Sequence, residues 1–270
     1  MRLPAWWSPR RALALFALSN VAFLAVDILL AHRMNAFAHP VEWLPVAFSV
    51  VATAALVPGA AGSDRTVVQW AERAVGWLSI AVGVSGMIFH LQSHFFAVQT
   101  LRSLVYSAPF LAPVSYAGVG LLVLLGRSDD PSVQPGRPGF GAWITVLALG
   151  GFFGNFGLSI LDHAQNGFFH PTEWIPVGAA ALAIGILVVT LARPSPENVR
   201  ASAVVMVLQA LVGIAGFVLH NVASYRGSAP SLLERFVYGA PAFAPLLFAD
   251  LALLAAIGLW ATVAARQAET

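Results

Sequence analysis

The residues best suited to chemistry in this chain are seven histidines, six of which fall into three pairs with similar local sequence. The pairs are His32 with His163, His39 with His170, and His90 with His220. Two belong to one motif, H-x-x-N-x-F-x-H-P-x-E-W-x-P-V, which occurs at residues 32–46 and 163–177 with nine identities in fifteen positions. Histidine is costly in hydrocarbon without a partner, so this clustering in an apolar chain indicates a functional site.

Each copy of the motif, with the later histidine, offers three imidazoles and one carboxylate. These are His32, His39, Glu42 and His90 in the first copy, and His163, His170, Glu173 and His220 in the second. Three nitrogens and one oxygen suit a transition metal such as Fe, Cu, Zn or Mn. His94 follows His90 by four residues, a spacing that puts both on one helix face, whereas Ser224 occupies the corresponding position in the second copy.

Haem b is the alternative cofactor. Bis-imidazole ligation by His32 with His90, and by His163 with His220, is compatible with histidines on two helices of one bundle. Nearby arginines in the following loops, Arg102 and Arg235, would then meet the propionates.

A third interpretation needs no cofactor. H-P-x-E-W is also typical of a helix start, with His39 as the N-cap, Pro40 in the first helical position and Glu42 complementing the helix dipole. Histidine is an unusual N-cap, however, and capping does not explain His90 or His220.

Four further polar residues are candidates for a functional role. Asp27 and Asp250 fall within apolar stretches, where carboxylates often mark proton or ion paths, or otherwise hydrogen-bond to a neighbouring helix. Tyr106 and Tyr238 begin two copies of Y-x-A-P-x-x-A-P and are either interfacial anchors or donors to the histidine site.

The elements that position these residues are transmembrane helices. Of 270 residues, 59% are hydrophobic and 10% are charged, and the apolar residues occur in runs near the length that crosses hydrocarbon. The predicted fold is an all-α polytopic membrane protein with eight spans, near residues 11–32, 41–58, 74–95, 104–125, 140–162, 171–192, 200–221 and 237–264. The chain has no cysteine and no lysine, which excludes thiolate ligands and lysine-based covalent chemistry.

The spans form two tandem, parallel four-helix repeats. VGVSGMIFH at 82–90 matches VGIAGFVLH at 212–220, and VYSAPFLAP at 105–113 matches VYGAPAFAP at 237–245. With the histidine motif, three matches occur in the same order at offsets of 131, 130 and 132, which indicates duplication. We therefore expect repeats at 1–126 and 140–270, joined by a linker at 127–139. Eight spans in two halves resemble the architecture of haem A synthases, but the chain lacks their E-x-x-H-R motif and paired loop cysteines.

Arginine bias predicts the orientation. With the N-terminus inside, ten arginines fall on the cytoplasmic side and four on the other, so both termini are expected in the cytoplasm and the histidines at the outer face of the cell membrane. The first apolar stretch is long enough to span and is expected to be retained rather than cleaved.

The leading functional hypothesis is a membrane metal-dependent redox protein or oxidoreductase. Haem-mediated electron transfer is the second form, and a structural or assembly subunit or a metal- or proton-coupled transporter are the alternatives. The expected partners are the lipid bilayer, a lipid-soluble substrate such as a quinone, and other membrane subunits, with no nucleic acid.

Overall fold

A computed structural model describes residues 7–269 of the chain, except for the side chain of Glu269. Arg2, one of the ten arginines that predict the orientation, lies outside these residues. Within the described range the protein is all-α, and seven helices are long and apolar enough to cross a membrane. It is a multi-pass membrane protein.

The helices follow one another with short connections. They are α1 (Pro9–Arg33), α2 (Trp43–Ala60), α3 (Thr66–Gln92), α4 (Phe95–Val98), α5 (Leu101–Val105), α6 (Val114–Gly126), α7 (Pro138–Gln165), α8 (Trp174–Ala192), α9 (Pro196–Tyr225), α10 (Leu232–Val237) and α11 (Leu246–Glu269). Short 3-10 turns at Pro40–Glu42 and Pro171–Glu173 lead into α2 and α8, and a third lies in the linker at Pro131–Val133.

The predicted fourth and eighth spans begin later than expected. Helix α6 starts at Val114 rather than near residue 104, and α11 starts at Leu246 rather than near residue 237. The cause is the pair of prolines in each Y-x-A-P-x-x-A-P segment, because proline lacks an N–H and clashes with the preceding helical turn. With 13 residues, α6 is roughly 20 Å long, which is shorter than the hydrocarbon core of a bilayer.

Helix α3 differs from its prediction at both ends. It begins at Thr66, eight residues before the predicted start, and therefore includes Glu72 and Arg73. It ends at Gln92, where Ser93 Oγ donates to the carbonyl of His90. His94 thus lies beyond the helix and does not continue the face of His90.

The helices before the linker pack on one another, as do those after it. Among the first, α1 contacts α2 and α6, and α3 contacts α2 and α6; among the second, α7 contacts α8 and α11, and α9 contacts α8 and α11. Contacts between the two groups run through α1 with α11 and α6 with α7. One buried apolar cluster lies in the first group, and a larger one fills the second group and reaches α1 and α6.

Candidate metal site

Each histidine motif folds into a loop closed by stacked aromatic rings. The loop after α1 contains two successive left-handed residues, Ala36 and Phe37, with φ of 57° and 54°. This reversal lays the Phe37 ring on Trp43, with 3.9 Å between centroids and 14° between planes. Phe168 stacks on Trp174 in the same way at 4.1 Å. Trp43 and Trp174 thus hold the two loops in place through this stacking.

The carboxylate of the first motif lies inside its loop. Glu42 Oε1 accepts hydrogen bonds from Asn35 Nδ2 at 3.1 Å and from the backbone N–H of His39 at 3.3 Å. Glu42 Oε2 is buried and has no hydrogen-bond partner among residues 7–269. A buried carboxylate oxygen without a donor is costly, so this atom marks a place where a cation or a proton would be stabilised.

His32 and His90 form a pair beside this carboxylate. They come from the ends of α1 and α3, both are half-buried, and their ring centroids are 6.3 Å apart. His32 Nδ1 donates to the carbonyl of Glu42 at 3.1 Å, and His90 Nδ1 donates to the carbonyl of Pro109 at 3.1 Å. A carbonyl only accepts, so each Nδ1 carries the proton and each neutral ring keeps its lone pair on Nε2.

The second motif has a related arrangement. His220 Nδ1 donates to the carbonyl of Pro241 at 2.9 Å, and His163 Nδ1 lies 3.5 Å from Glu173 Oε2. His163 and His220 are close enough to interact electrostatically. With its amide nitrogen facing the carboxylate, Asn166 donates to Glu173 Oε2 at 3.2 Å. Glu173 Oε2 therefore has a hydrogen-bond donor, which Glu42 Oε2 lacks.

The remaining three histidines, His39, His94 and His170, are exposed. His170 Nδ1 shares a hydrogen bond with Thr172 Oγ1 at 2.7 Å in its own turn. His39 contributes its backbone N–H to the Glu42 carboxylate, and His94 lines a cavity beside the segment that follows α3. Their roles as metal ligands stay predictions.

Within the part of the chain that the structure describes, no group of three or more histidine, aspartate or glutamate side chains is arranged to hold a metal ion. The structure brings together two half-buried imidazoles and one carboxylate in each half, with the third imidazole at the loop surface. Backbone carbonyls fix the tautomers of both imidazoles in the first set and that of His220 in the second.

Asp250 joins the two groups of helices. Its Oδ1 accepts a hydrogen bond from Asn20 Nδ2 at 3.0 Å, from α11 to α1. Asp27 is half-buried on α1. Tyr106 is exposed and its hydroxyl donates to the carbonyl of Gln165 at 3.4 Å, while Tyr238 is exposed.

Sequence reasoning missed a cluster of charges at the opposite end of the first group. The Arg127 guanidinium donates to Glu72 through Nε and to Asp64 Oδ1 through Nη1 at 2.7 Å, and Arg10 reaches the same Asp64 oxygen at 3.3 Å. Hydrogen bonding to Arg127 is the main cause that lowers the pKa of Asp64 below its ordinary value. The signal was a glutamate within the apolar α3 segment, which the predicted span excluded by starting at residue 74.

Comparison of the chain with protein-family models, with curated proteins and with solved structures finds no match.

Proposed function

We propose that this chain is an integral membrane redox protein that binds a metal centre through the paired imidazoles His32 with His90 and His163 with His220. The observation that carries the proposal is the bonding of the first pair. Both Nδ1 atoms are held by backbone carbonyls, so both Nε2 atoms are left as ligands. Metal-binding histidines usually have their second nitrogen fixed in this way.

The separation of the rings is compatible with one shared metal. At nitrogen–metal distances of about 2.0–2.1 Å, two imidazoles on one ion have ring centroids roughly 5–6 Å apart. The centroids of His32 and His90 are 6.3 Å apart before any ligand draws them together. Small rotations of two half-buried side chains therefore suffice.

The first form of the proposal is a non-haem metal with Glu42 as the third ligand. Its support is the buried Glu42 Oε2, which lacks a hydrogen-bond donor within the described residues. Two histidines and one carboxylate are the ligand set of many non-haem iron sites that keep open positions for oxygen or substrate. Because these three groups do not yet surround one point, metal binding must close them together.

The second form is bis-imidazole haem b, and its support is that it needs only the two histidines of each pair. In this form Glu42 and Glu173 stabilise their loops and do not bind the cofactor, and the protein transfers electrons rather than activating a substrate.

We further propose that the two groups of helices descend from one duplicated four-helix unit, with residues 127–139 as the linker. Three observations support this. The sequence matches occur in one order, both motif loops turn through left-handed residues at corresponding positions, and His90 and His220 bond the carbonyls of corresponding prolines. An even number of crossings would make the two repeats parallel, with α6 as a shortened fourth span and α11 as the eighth.

The arginine bias supports cytoplasmic termini and histidines at the outer face. A substrate at that face is expected to be oxygen, water or a lipid-soluble molecule such as a quinone that enters from the bilayer.

The test is a visible spectrum and a metal analysis on one sample of protein purified in mild detergent, with His32→Asn and His90→Asn beside the wild type. Asparagine retains a donor near the position of Nδ1 and removes Nε2, so the loops keep their carbonyl hydrogen bonds. His39→Asn and His170→Asn are matched controls at exposed positions.

We expect the wild type to bind about one metal ion per pair of imidazoles. His32→Asn and His90→Asn should each lose the ion of the first pair, and both control variants should retain it. Loss of the first-site metal in Glu42→Gln would support the non-haem form. A strong Soret band that persists in Glu42→Gln would support haem. A wild-type protein with neither haem nor stoichiometric metal after metal resupply would refute the proposed function.

A further inference from the structure

A second polar site lies at the same end of the first group, outside the imidazole pair. A cavity of about 250 Å³ is lined by His94, Val98, Thr100, Arg102, Ser103 and Tyr106. These residues belong to the segment that follows α3 and to α5, so one short stretch of chain forms the cavity.

The lining of this cavity contains hydrogen-bond donors but no acidic side chain. Arg102, His94, Tyr106 and Thr100 all carry N–H or O–H groups, and none of the six lining residues is acidic. An arginine offers five N–H donors in a fixed planar fork that matches the oxygens of phosphate or carboxylate. A lining that contains N–H and O–H donors and no carboxylate favours an anionic ligand.

The charge in this cavity is not neutralised by the protein. The Arg102 guanidinium has no hydrogen bond or ion pair with any residue from 7 to 269, and neither does the imidazole of His94. In the second half, by contrast, the Arg235 guanidinium donates to the carbonyl of Ala229 at 2.8 Å and to that of Tyr225 at 3.1 Å. The Arg102 guanidinium is therefore available to a ligand, whereas Arg235, which corresponds to Ser103 at the offset of 132, holds a loop, and Glu234 takes the position of Arg102.

The two halves also differ at the position of His94, where the second half has Ser224. Ser224 is buried, and its Oγ donates to the carbonyl of Ala240 at 3.2 Å. Helix α9 continues past this residue to Tyr225, whereas α3 ends at Gln92. Replacement of a small packed serine by a histidine outside the helix accompanies the open cavity.

We propose that this cavity binds a phosphate-type oxyanion, held by the Arg102 guanidinium with the imidazole of His94 as a further donor. The site does not depend on a metal at His32 and His90. Two sources share this chemistry, a free phosphate and the phosphodiester of a lipid headgroup in the adjoining leaflet. The cavity is small for a drug-sized ligand, which suits a single phosphate group.

The experiment uses the full chain in nanodiscs of zwitterionic phosphatidylcholine. Calorimetric titration with inorganic phosphate tests the free anion, and native mass spectrometry after exchange into discs with phosphatidylglycerol tests the lipid. The variants are Arg102→Gln and His94→Gln, and Arg226→Gln is the matched control, an exposed arginine at the corresponding end of α9.

We expect one saturable oxyanion per chain, weakened about tenfold or more by Arg102→Gln, because an ionised donor makes hydrogen bonds about twice as strong as a neutral one. His94→Gln should weaken binding less, and Arg226→Gln should not change it. Phosphate binding identifies a free anion, and retained phosphatidylglycerol without phosphate binding identifies a lipid headgroup.

The proposal is overturned if the wild type binds neither probe saturably, or if Arg102→Gln binds as tightly as the wild type. Equal weakening by Arg102→Gln and Arg226→Gln would also overturn it, since general surface charge would then explain the binding. Thermal unfolding of each variant verifies that the fold is intact.

Discussion

Removal of Arg127 from its buried ion pair should destabilise the protein more than removal of any exposed charge. Only 9% of the Arg127 side chain and 7% of the Glu72 side chain are exposed. Arg127 is the hydrogen-bond donor to the Glu72 carboxylate among the described residues. Arg127→Met would therefore leave a buried carboxylate without a partner, which costs about 3–5 kcal/mol in buried pairs of this kind.

Two matched variants isolate that cost. Arg73→Met removes a salt bridge to Asp129, whose side chain is 85% exposed, so we expect a loss of about 0–1 kcal/mol. Glu72→Leu combined with Arg127→Met replaces both charges by apolar groups, and we expect it to recover at least about 2 kcal/mol relative to Arg127→Met alone.

The assay is reversible unfolding by SDS in mixed micelles, followed by circular dichroism, which gives a free energy of unfolding for each variant. The reasoning fails if Arg127→Met costs no more than Arg73→Met. It also fails if the effects of the two substitutions in the double variant simply add, because the pair would then contribute no coupling energy.

Three other predictions concern stability. Gly59→Ala should destabilise the protein, because its Cβ would clash with Glu72 Oε1 of the buried ion pair, whereas Gly178→Ala, with open space around the new Cβ, should be close to neutral in the same SDS titration. Asp64 has a pKa below the ordinary 3.8 because Arg127 bonds its charged form, so its contribution is present above pH 3.8 and is lost as the pH falls toward the lowered pKa. The difference in thermal midpoint between wild type and Asp64→Asn should shrink over that window, and a difference that grows instead would contradict it. Tyr116→Phe should cost about 1–2 kcal/mol, since the buried hydroxyl bonds a serine hydroxyl and a backbone carbonyl; an unchanged unfolding free energy would refute this.

Hydropathy alone predicted most of the helices because a lipid-facing helix must be apolar along its whole length. Five of the seven long helices begin and end within four residues of their predicted spans, whereas α3 starts eight residues early and α11 starts nine residues late. The late start follows from local chemistry, since Pro241 and Pro245 break the helix within an apolar stretch. A hydropathy window averages over those prolines, and a reading of the Y-x-A-P-x-x-A-P segments as breaks would have located α6 and α11.

The repeated motif predicted which residues are close to one another, but not how they are bonded. His39 and Glu42 are three residues apart, and their contact is local. The partner of His90 is the carbonyl of Pro109, 19 residues later, which only the tertiary structure can reveal. Sequence reasoning therefore grouped three imidazoles per half, whereas the fold separates two half-buried imidazoles from one exposed imidazole.

Sequence reasoning missed the cluster of charges around Arg127 for a different reason. Glu72 and Arg127 lie 55 residues apart, and each looks like an ordinary loop charge next to a span. The position of Glu72 is taken in the second half by Ser202, which shares a buried hydroxyl hydrogen bond of 2.7 Å with Thr190, the counterpart of Gly59. Burial of an ion pair is costly compared with burial of two hydroxyls, so sequence similarity between the halves gave no reason to expect it.

The two halves also differ in how the carboxylates of their histidine motifs are bonded. In the first half Glu42 retains a buried oxygen without a donor, whereas Glu173 Oε2 has both Asn166 and His163 beside it. A bound cation gains most where the protein has left a carboxylate unsatisfied, and it must displace existing contacts where the carboxylate is already bonded. In the proposed function, a metal at His32 and His90 is therefore expected to bind more tightly than one at His163 and His220.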